Sequence, residues 1–341
     1  MRWVAALLAA VAALAVAGCG DGAEPGAPEG ATLVLDFQPN AVHAGLYAAQ
    51  QRGFFANEGV GLEIREPSST ADGAKLLEAG RADFAILDIN DFGLARRRGL
   101  DLEAIAAVVQ RPLAAVIAAD RTRISTPADL RGKTVGVTGV PSDDAALDTV
   151  LAEGGVRPEE VERQTIGFES VRLLAAGKVD AATAFWNAEG VQLRGRGIPV
   201  REFRLDEFGA PRYPELVIAT TPDRIPSEGS DGEGDRGVAC ALIRGLERGY
   251  ELLDGNPEAA LKALTEAVPA VDRDSQRDQL EALRDADAFS SEPGGEASPA
   301  LTRPALARWL GWARDRGVLS PGATVANGAV GGTDPGAPAS C

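Results

Sequence analysis

With one histidine, three cysteines and one methionine in 341 residues, this chain is poor in the side chains that most often hold metals or act as nucleophiles. No Cys-x-x-Cys spacing occurs, and the lone His43 cannot complete a ligand set, so a structural zinc site is excluded. No Ser/His/Asp arrangement surrounds His43 and no Gly-rich phosphate loop is present, so neither hydrolase nor nucleotide chemistry is indicated and no cofactor is expected. Positive charge is scarce as well: 34 Lys and Arg face 50 Asp and Glu, for a net charge of -16. Nucleic acid requires clustered basic residues, and the net charge with Asp and Glu scattered along the sequence argues against it.

The first residues carry Arg2, an apolar run from Val4 to Ala17, and then Val16-Ala17-Gly18-Cys19. The run is shorter than the ~20 residues that cross a bilayer. Small residues before a cysteine resemble a bacterial lipoprotein signal, which predicts a leader over 1–18, lipidation of Cys19 and export to the outer face of the cytoplasmic membrane. Residues 19–30, rich in Gly, Pro, Ala and acidic side chains, read as a flexible tether, and 320–341 as a disordered tail. An export route permits a bridge between Cys240 and Cys341, with a simply buried Cys240 as the alternative. Between these ends about 300 residues remain, enough for two domains.

The chain repeats itself. AKLLEAGRAD at Ala74–Asp83 and VRLLAAGKVD at Val171–Asp180 match at a constant offset of 97 residues. Each reads as a helix closed by glycine, then a basic residue, then a short strand opening at Asp. TLVLD from Thr32 and TVGVT from Thr134 form a second echo, each followed by a Pro-containing loop and a helix. Leu102–Gln110 and Leu113–Ala119 read as buried strands split by Arg111-Pro112, and PELVIAT at Pro214–Thr220 as a returning strand. Helices are expected over 238–253, 257–267, 275–288 and 303–316. This order predicts an α/β protein of two lobes with a ligand cleft between them: lobe one from 31–112 and 215–319, lobe two from 113–214.

Within that frame the loop after the first strand reads D-F-Q-P-N-x-x-H-x-G-L-Y-x-A-x-x-x-G-F-F from Asp36. It resembles the opening of the solute-binding proteins of thiamine-pyrimidine precursor salvage, which commonly read D-W-x-P-N-x-x-H-x-G-x-Y. The resemblance runs from about Thr32 to Ile225. It implies the periplasmic-binding-protein type II fold, an aminopyrimidine ligand such as hydroxymethylpyrimidine or its formylamino analogue, and a membrane permease of the ABC type as partner. Phe37 stands where the family has tryptophan, which keeps a stacking face and removes an indole N–H.

Candidate binding residues follow from strand ends and from that resemblance. Asp36, Phe37, Asn40 and His43 belong to the first loop. Phe185-Trp186-Asn187-Ala188-Glu189 resembles the family's W-N-x-E-G segment, which implies Trp186 as a stacking face and Glu189 as an acceptor for an exocyclic amine. Ser142, beside Asp143, either caps a helix or presents backbone N–H groups to the cleft, and the aspartates there disfavour a phosphate. Asp88, Asn90 and Tyr213 fall at a strand end or at the crossing between lobes.

Three rival functions remain open on sequence alone. Relatives of the same architecture bind sulfonates, nitrate or taurine. A pyrimidine-synthase branch shares the fold, consumes its own histidine and uses pyridoxal and iron, but its cysteine-rich run is absent here. A sensor lipoprotein is a third reading.

Overall fold

Short apolar strands alternating with helices build the protein, whose computed structural model describes residues 28–68, 72–139, 141–225 and 237–320. The strands, in chain order, are β1 (Glu29–Val34), β2 (Val60–Arg65), β3 (Phe84–Asp88), β4 (Glu103–Val109), β5 (Ala114–Ala119), β6 (Thr134–Val137), β7 (Glu162–Thr165), β8 (Ala181–Phe185), β9 (Val200–Arg204) and β10 (Leu216–Thr220). Among the described residues they form two five-stranded sheets, ordered β2-β1-β3-β10-β4 and β7-β6-β8-β5-β9. In the first, β1 lies parallel to β2 and β3 while β10 runs antiparallel to β3 and β4. In the second, β6 lies parallel to β7 and β8 while β5 runs antiparallel to β8 and β9. The chain leaves the first sheet after β4, builds all of the second, and returns as β10.

The sequence echo has a counterpart in hydrogen bonding. Gly80 and Gly177 both adopt left-handed φ, at 62° and 66°, where a side chain would be strained. Asp83 Oδ2 accepts from the Thr32 amide at 2.7 Å, and Asp180 Oδ2 accepts from the Thr134 amide at 2.9 Å. Each repeated aspartate thus fixes where its strand meets its parallel neighbour, β1 for β3 and β6 for β8.

Two chain crossings join the halves. The first passes through Arg111, whose guanidinium meets Asp206 of the returning crossing at 2.7 Å with both side chains mostly buried. In the first half, helix Ala44–Gln51 packs on helix Val238–Gly255 so closely that a Cβ on Gly249 would collide with the Gly45 carbonyl. That contact seats the helix that begins just after His43.

After helix Val238–Gly255 the chain continues through helices Pro257–Ala267, Arg273–Asp285 and Arg303–Asp315. The third of the expected helices starts two residues early, where Asp272 caps it by accepting from the Ser275 amide at 2.8 Å. Glu29 and Gly30, expected in the tether, instead pair with Val60 and Gly61 in β1. Backbone ladder bonds hold them despite their lack of apolar side chains. The leader over 1–18, Cys19 and the tail beyond Ser320, including Cys341, lie outside the described residues; Cys240 is buried on its helix and is disulfide-bonded rather than a free thiol. No described helix is long and apolar enough to cross a membrane.

Candidate functional site

The carboxyl ends of β1, β3, β6 and β8 point their following loops at one cleft, the position where open α/β sheets bind ligands. The cleft has two chambers. An inner one of about 130 Å³ is lined from the first half by Asp36, Phe37, Asp88 and Asp91, and from the second by Thr138, Ser142, Asp143, Phe168, Phe185 and Glu189. An outer one of about 600 Å³ shares Asp36, Phe37, Phe185 and Glu189 with it and extends to Asn40, Asn187 and helix Arg273–Asp285.

Asp36 is placed by the rest of its motif. β1 ends at Val34, and Asn40 turns the chain into a short helical turn by accepting from the Val42 amide at 3.0 Å. His43 Nδ1 accepts from the Asn40 amide at 3.2 Å, closing the turn from the other side. With Nδ1 accepting, the Nε2 hydrogen is donated to Asp36 Oδ1 at 2.8 Å. The imidazole is fully buried, so this bond orients Asp36 in a site shielded from water.

Five carboxyl groups, from Asp36, Asp88, Asp91, Asp143 and Glu189, line the inner chamber, and among the described residues no Lys, Arg or His does. Asp143 Oδ2 accepts from the Thr138 amide and hydroxyl and from the Thr183 hydroxyl, at 2.7, 2.6 and 2.8 Å. Asp88 caps helix Ile89–Arg97 by accepting from the Asn90 amide at 2.6 Å. Burial, with the charge of Asp91 added, pushes the Asp88 carboxyl up to about 8; burial and then Asp143 push Asp91 up to about 6. Glu189 is raised chiefly by burial too, although the Phe185 amide donates to its Oε2 at 3.0 Å. Such a wall offers acceptors at high density and wants donors or positive charge opposite it. Phe37, Phe168 and Phe185 add flat apolar faces, the first two touching across the cleft with ring centroids 5.4 Å apart.

Of the residues singled out in sequence, Asp36, Phe37, Asn40, Asp88, Ser142, Phe185, Asn187 and Glu189 line one chamber or both. Four do not. His43 sits behind Asp36. Asn90 is buried under the last helix, where its Oδ1 accepts from the Trp309 indole at 2.8 Å. Tyr213 is buried and stacked on Trp312, with centroids 5.3 Å apart. Trp186, expected as the stacking face, is fully buried: its indole donates to the Pro112 carbonyl at 2.9 Å and the Arg204 guanidinium lies 4.2 Å from its ring centre. The reason is local. Phe185 and Trp186 are consecutive at a strand end and face opposite sides, and the π-turn over Trp186–Gly190 then brings Asn187 and Glu189 round to the cleft.

Sequence reasoning missed Asp91 and Phe168. Asp91 follows Asp88 by three residues on a helix and so shares its face, a signal that was present. Phe168 is 56% exposed in the loop after β7, a lone aromatic among polar neighbours with no periodicity to mark it.

Comparison with known proteins fits this geometry. The NMT1/THI5-like family profile matches residues 40–260. The formylaminopyrimidine-binding protein of Halalkalibacterium halodurans is 32% identical over 262 residues, 76% of this chain and 77% of that one. A 4-amino-5-hydroxymethyl-2-methylpyrimidine phosphate synthase of Legionella pneumophila subsp. pneumophila is 26% identical over 248 residues, 70% and 73% of the two chains. Among solved structures, the alkanesulfonate-binding protein SsuA from Xanthomonas axonopodis pv. citri, bound to MOPS, superposes with a TM-score of 0.62 at 18% identity, covering 86% of this chain and 94% of that one. The fold is that of the two-lobed periplasmic binding proteins, and the chain belongs to the NMT1/THI5-like family.

Proposed function

We propose that this protein is the solute-binding component of an ABC importer and that its ligand is an aminopyrimidine related to thiamine, held in the inner chamber and delivered to a membrane permease. The observation that carries this reading is the composition of that chamber: five carboxyl groups, three phenyl rings and, among the described residues, no basic group. An aminopyrimidine supplies an exocyclic amine and a ring nitrogen that takes a proton, which suit carboxylate acceptors, and a flat face that suits phenyl rings. A sulfonate or nitrate meets the opposite field. At ~4 Å and an effective dielectric of ~20, each contact with an ionised carboxylate costs an anion about 4 kcal/mol, although Asp88, raised to about 8, is protonated near neutral pH and adds no such charge.

Enclosure from both halves supports a binding protein whose lobes close on a solute. The synthase reading has less behind it. His43 is tied between Asn40 and Asp36 and lines neither chamber, and among the described residues no lysine lines either one to hold a pyridoxal group. The proposed setting is the outer face of the cytoplasmic membrane, with the chain tethered through lipid on Cys19.

The experiment is thermal unfolding of the protein with saturating 4-amino-5-hydroxymethyl-2-methylpyrimidine, its formylamino analogue or an alkanesulfonate. A rise in midpoint with either pyrimidine and none with the sulfonate supports the reading, since only a ligand of the folded state stabilises it. A rise with the sulfonate alone would overturn it.

A further inference from the structure

Asp88 and Glu215 bring two carboxyl groups together at the back of the inner chamber. Asp88 ends β3 and lines the chamber; Glu215, 1% exposed, precedes β10 and lines neither chamber. The backbone holds them side by side, since the Ile89 amide donates to the Glu215 carbonyl at 2.9 Å and Leu216 pairs with Asp88 across the sheet. Their side chains are hydrogen-bonded to each other. Two ionised carboxylates offer only acceptors, so this contact requires a proton. Glu215 Oε2 gives a second sign of one: it is buried and receives no N–H or hydroxyl among the described residues, an arrangement costly for a charged oxygen.

The surroundings favour a neutral acid at Asp88 as well. The titratable groups that face it are Asp91 on the helix it caps, Asp143 from the second half, Glu215, and the Tyr213 phenol. Three are acids and one is a phenol, so none of them supplies a positive charge. The Asn90 and Asp91 amides both donate to Oδ1, at 2.6 and 3.3 Å, which leaves Oδ2 as the oxygen able to carry hydrogen. Burial, then the charge of Asp91, raises the Asp88 carboxyl to about 8; burial, then Asp88, raises Glu215 well above the usual carboxyl range. With both groups acid, Glu215 gives its hydrogen to Asp88 and Asp88 keeps one for the chamber. Asp143 differs, since its Oδ2 accepts three hydrogens from Thr138 and Thr183 and so is fixed as an acceptor.

We propose that Asp88 is the hydrogen donor of the inner chamber: a neutral acid, backed by Glu215, that gives its hydrogen bond to a ring nitrogen of the solute, so that the protein takes up its solute as the uncharged base. Asp88 then reads an acceptor on the ring while the carboxylates around it read donors, and a ring nitrogen beside an exocyclic amine offers that pair. No proton is exchanged with solvent on binding, because the hydrogen stays between Asp88 and the ring. This rests on the reading of the inner chamber as the site for the ring.

The test counts protons. Calorimetric titration of the wild-type protein with 4-amino-5-hydroxymethyl-2-methylpyrimidine at pH 7 is run in phosphate and in Tris, whose ionisation enthalpies differ. Equal heats are expected. Uptake of about one proton, which an ionised Asp88 would require of the solute, overturns the proposal. Affinity is expected to stay level near pH 7 and to fall by about tenfold per pH unit above the titration of Asp88, a limb that Asp88→Asn lacks; a limb that persists in that variant, or an affinity already falling through pH 7, counts against it. A second readout needs no ligand. Infrared spectra of the ligand-free protein at pH 7 are expected to show the carbonyl band of a protonated carboxylic acid, lost in the Asp88→Asn/Glu215→Gln variant, and a wild type without the band overturns the proposal. Should no pyrimidine bind, the ligand reading fails and the ring nitrogen falls with it, while the infrared band still decides whether Asp88 is a neutral acid.

Discussion

His43 Nε2 lies 2.8 Å from Asp36 Oδ1, and the imidazole is closed off from solvent while the carboxylate reaches both chambers of the cleft. The histidine therefore acts through Asp36. Its second nitrogen closes the Asn40 turn, so a single ring fixes both the backbone of the loop and the direction of its carboxylate.

Replacing the imidazole tests this relay. His43→Leu keeps apolar volume but leaves Asp36 and the Asn40 amide without their partner, so binding of 4-amino-5-hydroxymethyl-2-methylpyrimidine is expected to weaken by about 1 to 3 kcal/mol. Calorimetry on the folded variant reads this directly. Affinity equal to wild type would show that Asp36 is not positioned by His43.

Trp186 makes the opposite prediction. Its indole fills the interior between Pro112 and Arg204, so Trp186→Ala is expected to cost about 3 to 5 kcal/mol of stability. Denaturant unfolding measures this. Trp186→Phe, which keeps most of the volume, is expected to bind ligand like the wild type; a Phe variant that folds normally and loses ligand would return Trp186 to the site.

The raised carboxyls of the inner chamber predict how stability depends on pH. In the unfolded chain an Asp titrates near ~3.9, whereas burial raises Asp91 to about 6 and Asp88 to about 8 in the fold. Between these limits the folded protein holds more protons than the unfolded chain, so its stability falls as pH rises from about 4 to about 8. The ligand-free protein is expected to melt higher at pH 5 than at pH 8, and Asp91→Asn to flatten the curve. A wild-type midpoint that rises over that interval would contradict the burial of these groups.

Much of the fold was legible because its signals are local. The paired Leu-Leu-x-x-Gly helices announce their caps, and the strands β3 and β8 follow at the repeated aspartates, with both glycines left-handed as the pattern requires. The loops of the cleft were legible as positions at strand ends. What could not be read was the side to which a residue turns. Phe185 and Trp186 are adjacent aromatics in sequence, and only the tertiary covering by Arg204 and Pro112 decides that the larger one is interior. Tyr213 and Asn90 went the same way, each claimed by a tryptophan of the last helix more than 90 residues away along the chain.

The most direct test of the central claim is calorimetric titration of the protein, from the residue after Cys19 onward, with 4-amino-5-hydroxymethyl-2-methylpyrimidine in parallel with MOPS, repeated for Glu189→Gln. The account predicts saturable binding of the pyrimidine, none of the sulfonate, and at least a tenfold loss in the variant. Binding of MOPS without the pyrimidine, or a variant that binds the pyrimidine as well as the wild type does, would contradict it.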